Sequence, residues 1–257
     1  MKIRFLGAHN TETRDTKLSG LLVDDILALD AGGLTSSLTL SEQLGIKAVL
    51  ITHQHYDHIK DLPLLAMNRS LNNTTIDVYS LASTGKAIAK YLLDGSLYPE
   101  FLKENDNGKT VVKLCPVKPY LKIQIEGYSI IPVPVPHTVA SVGYRVTAAD
   151  GKSFFYTGDT GPGLSDCWER VSSKLLVTEV TASDSYVTFC REKGHLCPCL
   201  LKEELLSHLN DKGYLPNVVV VHMNHLAEKE IKAELKVIAE ELGISITLAF
   251  EGRQLEI

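Results

Sequence analysis

Hydrophobic residues occur along the chain in short runs separated by polar turns, and their spacing predicts both strands and helices. Apolar runs bounded by turn residues predict strands that begin near Lys2 and then cover residues 20–23, 26–29, 47–52, 142–146, 153–157, 175–180, 218–221 and 244–249. Apolar positions at helical spacing predict helices over residues 59–72, 84–93, 200–209 and 228–242. Strands and helices therefore alternate in both halves of the chain.

The middle of the chain contains a strand-like segment, residues 123–135, that is interrupted by proline. Prolines stand at alternate positions, Pro132, Pro134 and Pro136. Because proline cannot donate a hydrogen bond to a neighbouring strand, we expect this segment at a sheet edge or in an extended approach to a loop. Asp150-Gly151 lies between two predicted strands and indicates a hairpin.

The arrangement of these elements favours a single α/β domain over residues 1–257, because no low-complexity linker divides the chain. The pattern fits an αββα sandwich, in which two β-sheets lie between helical layers. Apolar residues make up 44% of the chain and charged residues 22%, a balance typical of a globular protein with a substantial core. The helix predicted over residues 228–242 is either a surface element or an interface, so a homodimer stays an open alternative.

Charge and hydropathy narrow the partners that the protein can have. The formal net charge is −5, with no block of lysine or arginine, which disfavours a protein that binds long nucleic acid through phosphate contacts. A small phosphorylated substrate stays compatible, because bound cations can supply local positive charge. The first residues are typical of a strand and no run approaches the roughly 20 apolar residues of a membrane helix. We therefore expect a soluble, cytoplasmic protein without a membrane partner.

The five cysteines are an odd set without a CxxC pair, which favours reduced thiols in a cytosolic protein. Two of them form the short motif Cys197-Pro198-Cys199. Such a CxC motif can hold a soft metal or a redox pair, but alone it is a weak signal.

A cluster of metal-binding residue types follows the strand predicted over residues 47–52. Three of the nine histidines and an aspartate lie within six positions, as His53, His55, Asp57 and His58. Imidazole is the commonest metal ligand near neutral pH. Nitrogen and carboxylate ligands without a thiolate favour zinc, manganese or iron over calcium or magnesium. The cluster predicts a metal site, with zinc the first expectation and manganese or iron the alternatives.

Further candidate ligands follow other predicted strands. His137 comes after the proline-rich segment, Asp159 after residues 153–157, and His222 after residues 218–221, with His225 three positions later. The carboxyl ends of such strands are expected to meet at one edge of the sheets. These residues can therefore complete a site for two ions, with the choice between His222 and His225 left open.

The ordered set resembles that of the metallo-β-lactamase superfamily. The run from Thr52 to His58 is similar to the family motif T-H-x-H-x-D-H. The resemblance implies the metallo-β-lactamase fold, with two mixed β-sheets flanked by helices, and two divalent metal ions. It places one ion on His53, His55 and His137 and the other on Asp57, His58 and His222, with Asp159 bridging both. His225, if it is not a ligand, would face the substrate.

The resemblance also implies a hydrolytic mechanism. A hydroxide held between two ions about 3.5–4 Å apart would be the nucleophile, and the ions would stabilise charge on the reacting oxygens. Asp30 resembles the family's upstream aspartate and would accept a hydrogen bond from a ligand histidine. Its alternative interpretation is a capping aspartate before Ala31-Gly32-Gly33.

Features beyond the ligands resemble the phosphodiesterase branch, which includes tRNase Z and the class II cyclic-nucleotide phosphodiesterases. The segment from His58 to Pro63 is similar to that branch's D-H-x-x-[G/D]-L-P continuation. By the same resemblance Glu179 would orient His195, which would protonate the leaving oxygen. The catalytic set implied is Asp57, Glu179, His195 and His225. The alternative interpretation of His195 is a loop histidine before a helix.

The substrate expected from these features is a small phosphodiester, with cyclic nucleotides among the candidates. Only 21 residues separate His137 from Asp159, which leaves no room for the tRNA-binding arm of tRNase Z. Two alternatives stay open because the fold does not determine the substrate. One is another hydrolase of the same fold, a thioesterase or lactonase, and the other is a metal-bound nucleotide-binding or sensory protein.

Overall fold

A computed structural model describes residues 1–104 and 108–257, and its strands follow the predicted runs closely. The strands are β1 (Lys2–Gly7), β2 (Gly20–Val23), β3 (Leu27–Leu29), β4 (Ala48–Leu50), β5 (Ile76–Leu81), β6 (Val112–Val117), β7 (Ile123–Ile125), β8 (Tyr128–Val135), β9 (Ser141–Thr147), β10 (Ser153–Tyr156), β11 (Leu175–Glu179), β12 (Asn217–Val221), β13 (Ile246–Leu248) and β14 (Gln254–Glu256). Strands β5, β6 and β14 are additional to those predicted.

The helices are α1 (Leu34–Ser37), α2 (Leu40–Gly45), α3 (Tyr56–Ile59), α4 (Leu62–Leu71), α5 (Ala82–Tyr91), α6 (Ser165–Arg170), α7 (Val187–Lys193), α8 (Pro198–Lys212) and α9 (Glu228–Leu242), with a 3₁₀ turn at Asp184–Tyr186. Helix α9 has the predicted bounds, and α8 extends the predicted helix at both ends. None of the helices among the described residues is both long enough and apolar enough to span a membrane.

The strands form two mixed sheets, which confirms the predicted αββα architecture. The first sheet has the order β14-β1-β2-β3-β4-β5-β6 and the second β13-β12-β11-β10-β9-β8-β7. In each sheet one part is antiparallel and the other parallel, with the change at β3 in the first sheet and at β10 in the second. Residues from the facing sides of both sheets, including Phe5, Leu29, Tyr144 and Phe154, form one buried cluster.

Strand β8 lies between β7 and β9, but its proline-containing part is exposed at the edge of the sheet, as the sequence predicts. Its first residues, Tyr128–Ile130, pair with β7, whereas Pro132 and Pro134 have a paired strand, β9, on one side only. The prolines therefore occupy positions where a missing N–H breaks no ladder. The predicted hairpin at Asp150-Gly151 is confirmed by the antiparallel pairing of β9 with β10.

Two predicted elements differ from the structure in their bounds. The helix predicted over residues 59–72 is present as α4 but begins at Leu62, because a separate short helix, α3, ends at Ile59. Pro63 explains the break, since its ring suits the first turn of a new helix and not the middle of a continuous one. The strand predicted over residues 123–135 is likewise divided by Glu126 and Gly127, which both have positive φ values and form a tight turn.

Candidate metal centre

The predicted ligands are brought together by the carboxyl ends of strands from both sheets. His53 to His58 follow β4 of the first sheet. The ligands from the second sheet follow β8, β10 and β12, and they are His137, Asp159 and His222. The convergence that the sequence predicts for strand ends is therefore present in the structure.

Three histidines and Asp159 form the first half of the centre. One atom from each of His53, His55, His137 and Asp159 lies within 4.8 Å of the others. Asp159 Oδ2 is 3.8 Å from His53 Nε2 and 3.9 Å from His137 Nε2. His55 points its Nδ1 into the group, 3.2 Å from His137 Nε2.

The second half shares Asp159 with the first. Asp159 Oδ1 is 3.1 Å from His58 Nε2, and Asp159 Oδ2 is 3.4 Å from His222 Nε2. Asp57 Oδ2 is 3.1 Å from His222 Nε2 and 3.7 Å from His58 Nε2. Because its oxygens face histidines of both halves, Asp159 is placed where a bridging carboxylate is needed.

Several buried polar atoms of the centre have no good hydrogen-bond partner in the protein and are of the types that bind metal ions. His53 Nε2, His58 Nε2 and Asp159 Oδ1 are buried, and although the last two lie 3.1 Å apart, none of the three makes a hydrogen bond of normal geometry. Leaving such groups unpaired costs free energy, about 1–3 kcal/mol for each, unless a ligand satisfies them. The donor set of imidazole nitrogens and carboxylate oxygens suits zinc, manganese or iron. The centre therefore has the geometry and chemistry to hold two divalent cations.

The charges in the centre also favour bound cations. Burial lowers the pKa of His53 well below its ordinary value, which keeps the ring in the neutral form that binds metal. Burial raises the pKa of Asp159, but His222 and His58 outweigh burial and hold it well below its ordinary value. For His58 the carboxylates of Asp159 and Asp30 outweigh burial and raise the pKa. In the second half, the proton on His58 thus occupies a position that a metal ion can take.

Asp30 lies behind the centre and contacts the outer nitrogen of a predicted ligand. Its Oδ2 accepts hydrogen bonds from His58 Nδ1 and from the Tyr156 hydroxyl, each at 2.8 Å, and its Oδ1 accepts from the Thr52 backbone N–H at 2.8 Å. The residue is fully buried and has a φ of 59°. Its predicted contact with a histidine is confirmed, and the capping interpretation is not needed.

Three further ligand rings are held by neutral partners, a role that sequence patterns had not assigned to them. His53 Nδ1 lies 3.0 Å from Thr52 Oγ1, and His222 Nδ1 lies 2.9 Å from Thr181 Oγ1. His137 Nδ1 donates to the Gly194 carbonyl at 2.7 Å. A threonine beside a ligand is a weak signal in the sequence, and a contact with a backbone carbonyl leaves no signal in the sequence at all.

Glu179 and His195 form a hydrogen-bonded pair beside the centre. His195 Nδ1 lies 2.7 Å from Glu179 Oε1, and the ring stacks on His222 with centroids 5.6 Å apart. Glu179 is fully buried and also accepts from the Thr160 N–H and the Thr181 hydroxyl. Burial lowers the pKa of His195, but Glu179 outweighs burial and raises it to about 9. The pair has the geometry of an oriented proton donor.

His225 is separated from the predicted ligands. Its Nδ1 lies 2.9 Å from the Thr11 hydroxyl, and among the described residues it belongs to none of the groups with metal-binding spacing. His222 instead has a φ of 59°, a conformation that is rare for a residue other than glycine, and this turn carries its ring toward Asp57. Of the two candidates for the last ligand, the geometry favours His222.

Comparisons with known proteins show which family and which fold the chain resembles. A family model described as a β-lactamase superfamily domain matches residues 29–223. A UPF0173 metal-dependent hydrolase from Thermococcus onnurineus is 26% identical over 167 residues, 62% of this chain and 62% of that protein. A ribonuclease Z from Acaryochloris marina is 27% identical over 171 residues, 61% of this chain and 51% of that protein. The chain thus aligns with less than two thirds of either relative.

The fold comparison extends over the whole chain. The crystal structure of unliganded yeast PDE1 is similar with a TM-score of 0.84 and 19% identity, covering 100% of this chain and 99% of that one. At this identity the similarity is one of fold.

Proposed function

The chain belongs to the metallo-β-lactamase superfamily, and we propose that it is a hydrolase with two divalent metal ions that cleaves a small phosphodiester. The observation that carries the choice of a phosphodiester is the Glu179–His195 pair beside the metal centre. Similarity to a ribonuclease and in fold to yeast PDE1 supports the same choice. A cyclic nucleotide is one candidate within this substrate class.

The metal ions would be held by the residues that the structure brings together. The first ion would bind His53, His55 and His137 and the second Asp57, His58 and His222, with Asp159 shared. Two such ions lower the pKa of a water molecule and neutralise negative charge on a phosphodiester. Zinc is the first expectation for both, with manganese or iron as alternatives.

The chain's own contribution to bond cleavage is a proton for the leaving oxygen. Glu179 holds His195 through Nδ1, which leaves Nε2 to donate a proton toward the centre. An alkoxide leaving group is a strong base, so its departure is assisted by such a donor. A thiolate departs without protonation, so a dedicated donor favours a phosphodiester over a thioester.

The small size of the substrate is inferred from charge. The chain has a formal net charge of −5, and long nucleic acid requires a basic surface for its many phosphates. A single phosphodiester group needs local positive charge only, which two divalent ions at the centre provide.

The experiment that tests this proposal is a substrate panel with zinc-loaded and manganese-loaded protein. We expect hydrolysis of bis-p-nitrophenyl phosphate and of at least one natural small diester, such as a cyclic nucleotide. Thioesters and lactones serve as the comparison, because a thioesterase or lactonase of the same fold would cleave these instead. Protein that binds two ions and cleaves only thioesters or lactones would overturn the proposal.

A nucleotide-binding or sensory protein without catalysis is the remaining alternative. It would be stabilised thermally by a nucleotide while leaving every substrate of the panel intact. The oriented His195 argues against it, because a protein that only binds has no use for a proton donor.

A further inference from the structure

A second group of metal-binding residue types lies outside the histidine centre, where the 3₁₀ turn meets the start of α8. Cys197 Sγ and Cys199 Sγ are 3.4 Å apart. A carboxylate oxygen of Asp184 lies within 4.8 Å of both sulfur atoms. Two thiols and a carboxylate from separate turns of the chain thus face one point.

We propose that Asp184, Cys197 and Cys199 form a further metal site, which binds a thiophilic divalent cation such as zinc. Thiolate ligands select soft or borderline cations, and a carboxylate as third ligand favours a divalent ion. Binding would release the two thiol protons to solvent, so that the ion replaces them between the sulfur atoms.

The three residues are held in position before any ion binds. Asp184 accepts a hydrogen bond from the Cys199 N–H at 2.7 Å, and its own N–H donates to Glu234 at 3.1 Å. Cys197 is the N-cap of α8, a helix of 15 residues, and Pro198 occupies its first turn. The positive end of this helix favours thiolates once their protons have left.

An ion at this site would hold in place the segment of the chain that approaches the histidine centre. Residues 194–199 contain the Gly194 carbonyl, which receives the hydrogen bond of His137, and they contain His195 itself. Cys197 and Cys199 are the last part of this segment and Asp184 belongs to the preceding turn. An ion bound by all three would fix the segment at its far end.

The test is a titration of the full-length chain with Co²⁺ under reducing conditions, observed by absorption. Thiolate ligands give Co²⁺ an intense near-ultraviolet charge-transfer band, and the histidine centre contains no thiol. We expect this band in the natural chain, its loss in Cys199→Ser and its retention in Cys115→Ser. Cys115 lies on β6 of the first sheet and is the matched control.

Two further variants separate this site from the proposed function. In Asp159→Ala the band is expected to persist, because the thiolate site does not depend on the histidine centre. In Asp184→Asn the dissociation constant of the ion that gives the band is expected to rise at least about tenfold, since a charged ligand becomes neutral. The absence of a band from the natural chain would overturn the site, as would an equal band in Cys199→Ser. A Cys197–Cys199 disulfide found by mass under reducing conditions would do the same.

Discussion

The two halves of the candidate metal centre share Asp159 but are supported by different groups. In the first half, the outer nitrogens of His53 and His137 face neutral oxygens, a hydroxyl and a backbone carbonyl. In the second half, the outer nitrogen of His222 also faces a hydroxyl, that of Thr181, but the outer nitrogen of His58 faces the carboxylate of Asp30. A carboxylate behind an imidazole raises its basicity more than a neutral oxygen does. The two halves are therefore expected to respond to different substitutions.

The largest effect is expected from the residue that both halves share. Replacing Asp159 by alanine removes both facing oxygens, so neither half keeps its full set of ligands. We expect fewer than two ions per chain and a fall in kcat/KM of at least roughly a thousandfold, about 4 kcal/mol. Metal counting by mass spectrometry and steady-state rates measure both, with Asp150→Ala as an exposed control. Two tightly bound ions in Asp159→Ala would remove its bridging role.

A more selective loss is expected from His222→Ala, which belongs to the second half alone. Its Nε2 faces both Asp57 and Asp159, so its removal should release one ion and leave the other. We expect a loss of about a hundredfold in kcat/KM, in the range of several kcal/mol that one ion supplies. The matched control is His225→Ala, which should keep both ions because His225 contacts Thr11 instead. The reverse result would make His225 the ligand.

His195→Gln tests the proposed proton donor, which lies beside both halves of the metal centre. The His195 ring stacks on His222 and lies edge-on to His137. It also has metal-binding spacing with Asp159, Glu179 and His222, but each half has four candidate ligands without it. We therefore expect two ions per chain and a loss in kcat of about a hundredfold, as for a general acid. The loss should be large for alkyl diesters and small for p-nitrophenyl diesters, whose leaving group needs no proton. Equal losses for both would show that His195 only supports the site.

The pH dependence of the rate gives a separate measure of the Glu179–His195 pair. Glu179 outweighs burial and raises the pKa of His195 to about 9. The protonated ring is the active form, so the rate on alkyl diesters should fall as the pH rises through that pKa. Glu179→Gln removes the charge that raises the pKa, so the fall should move to lower pH. An unchanged profile in Glu179→Gln would assign the titration to another group.

The difference between the halves also shows what a sequence can predict. The candidate ligands at strand ends were all available from the order of His and Asp in the chain, and so was Asp30, which contacts one of them. The partners of the other rings were not, because the Gly194 carbonyl and the Thr181 hydroxyl reach His137 and His222 only through folding. Contacts of this kind cannot be recognised from the types of residue along the chain.

The fold likewise contains elements that hydrophobic spacing predicts and elements that form only through contacts with other parts of the chain. Helix α9 and strand β2 follow directly from hydrophobic spacing. Strand β14 has no buried residue and is formed by pairing with β1, so its own sequence carries little signal. The break between α3 and α4 depends on Pro63, whose position within the apolar run outweighs the helical spacing.

The smallest of these effects, and the one that divides the halves most sharply, is expected from Asp30→Asn. Asparagine also accepts positive φ values and keeps an oxygen for the Thr52 N–H, so the backbone at Asp30 should be retained. What is lost is the negative charge behind His58 and the oxygen that accepts from its Nδ1, because the amide nitrogen of asparagine cannot accept a hydrogen bond. The affinity of the second half for its ion should therefore fall about ten- to a hundredfold. The first half should weaken less, because Asp30 reaches His53 only through the Thr52 hydroxyl. Competition with a chelator measures the two affinities separately, and equal weakening of both ions would mean that Asp30 supports the whole centre and not one half of it.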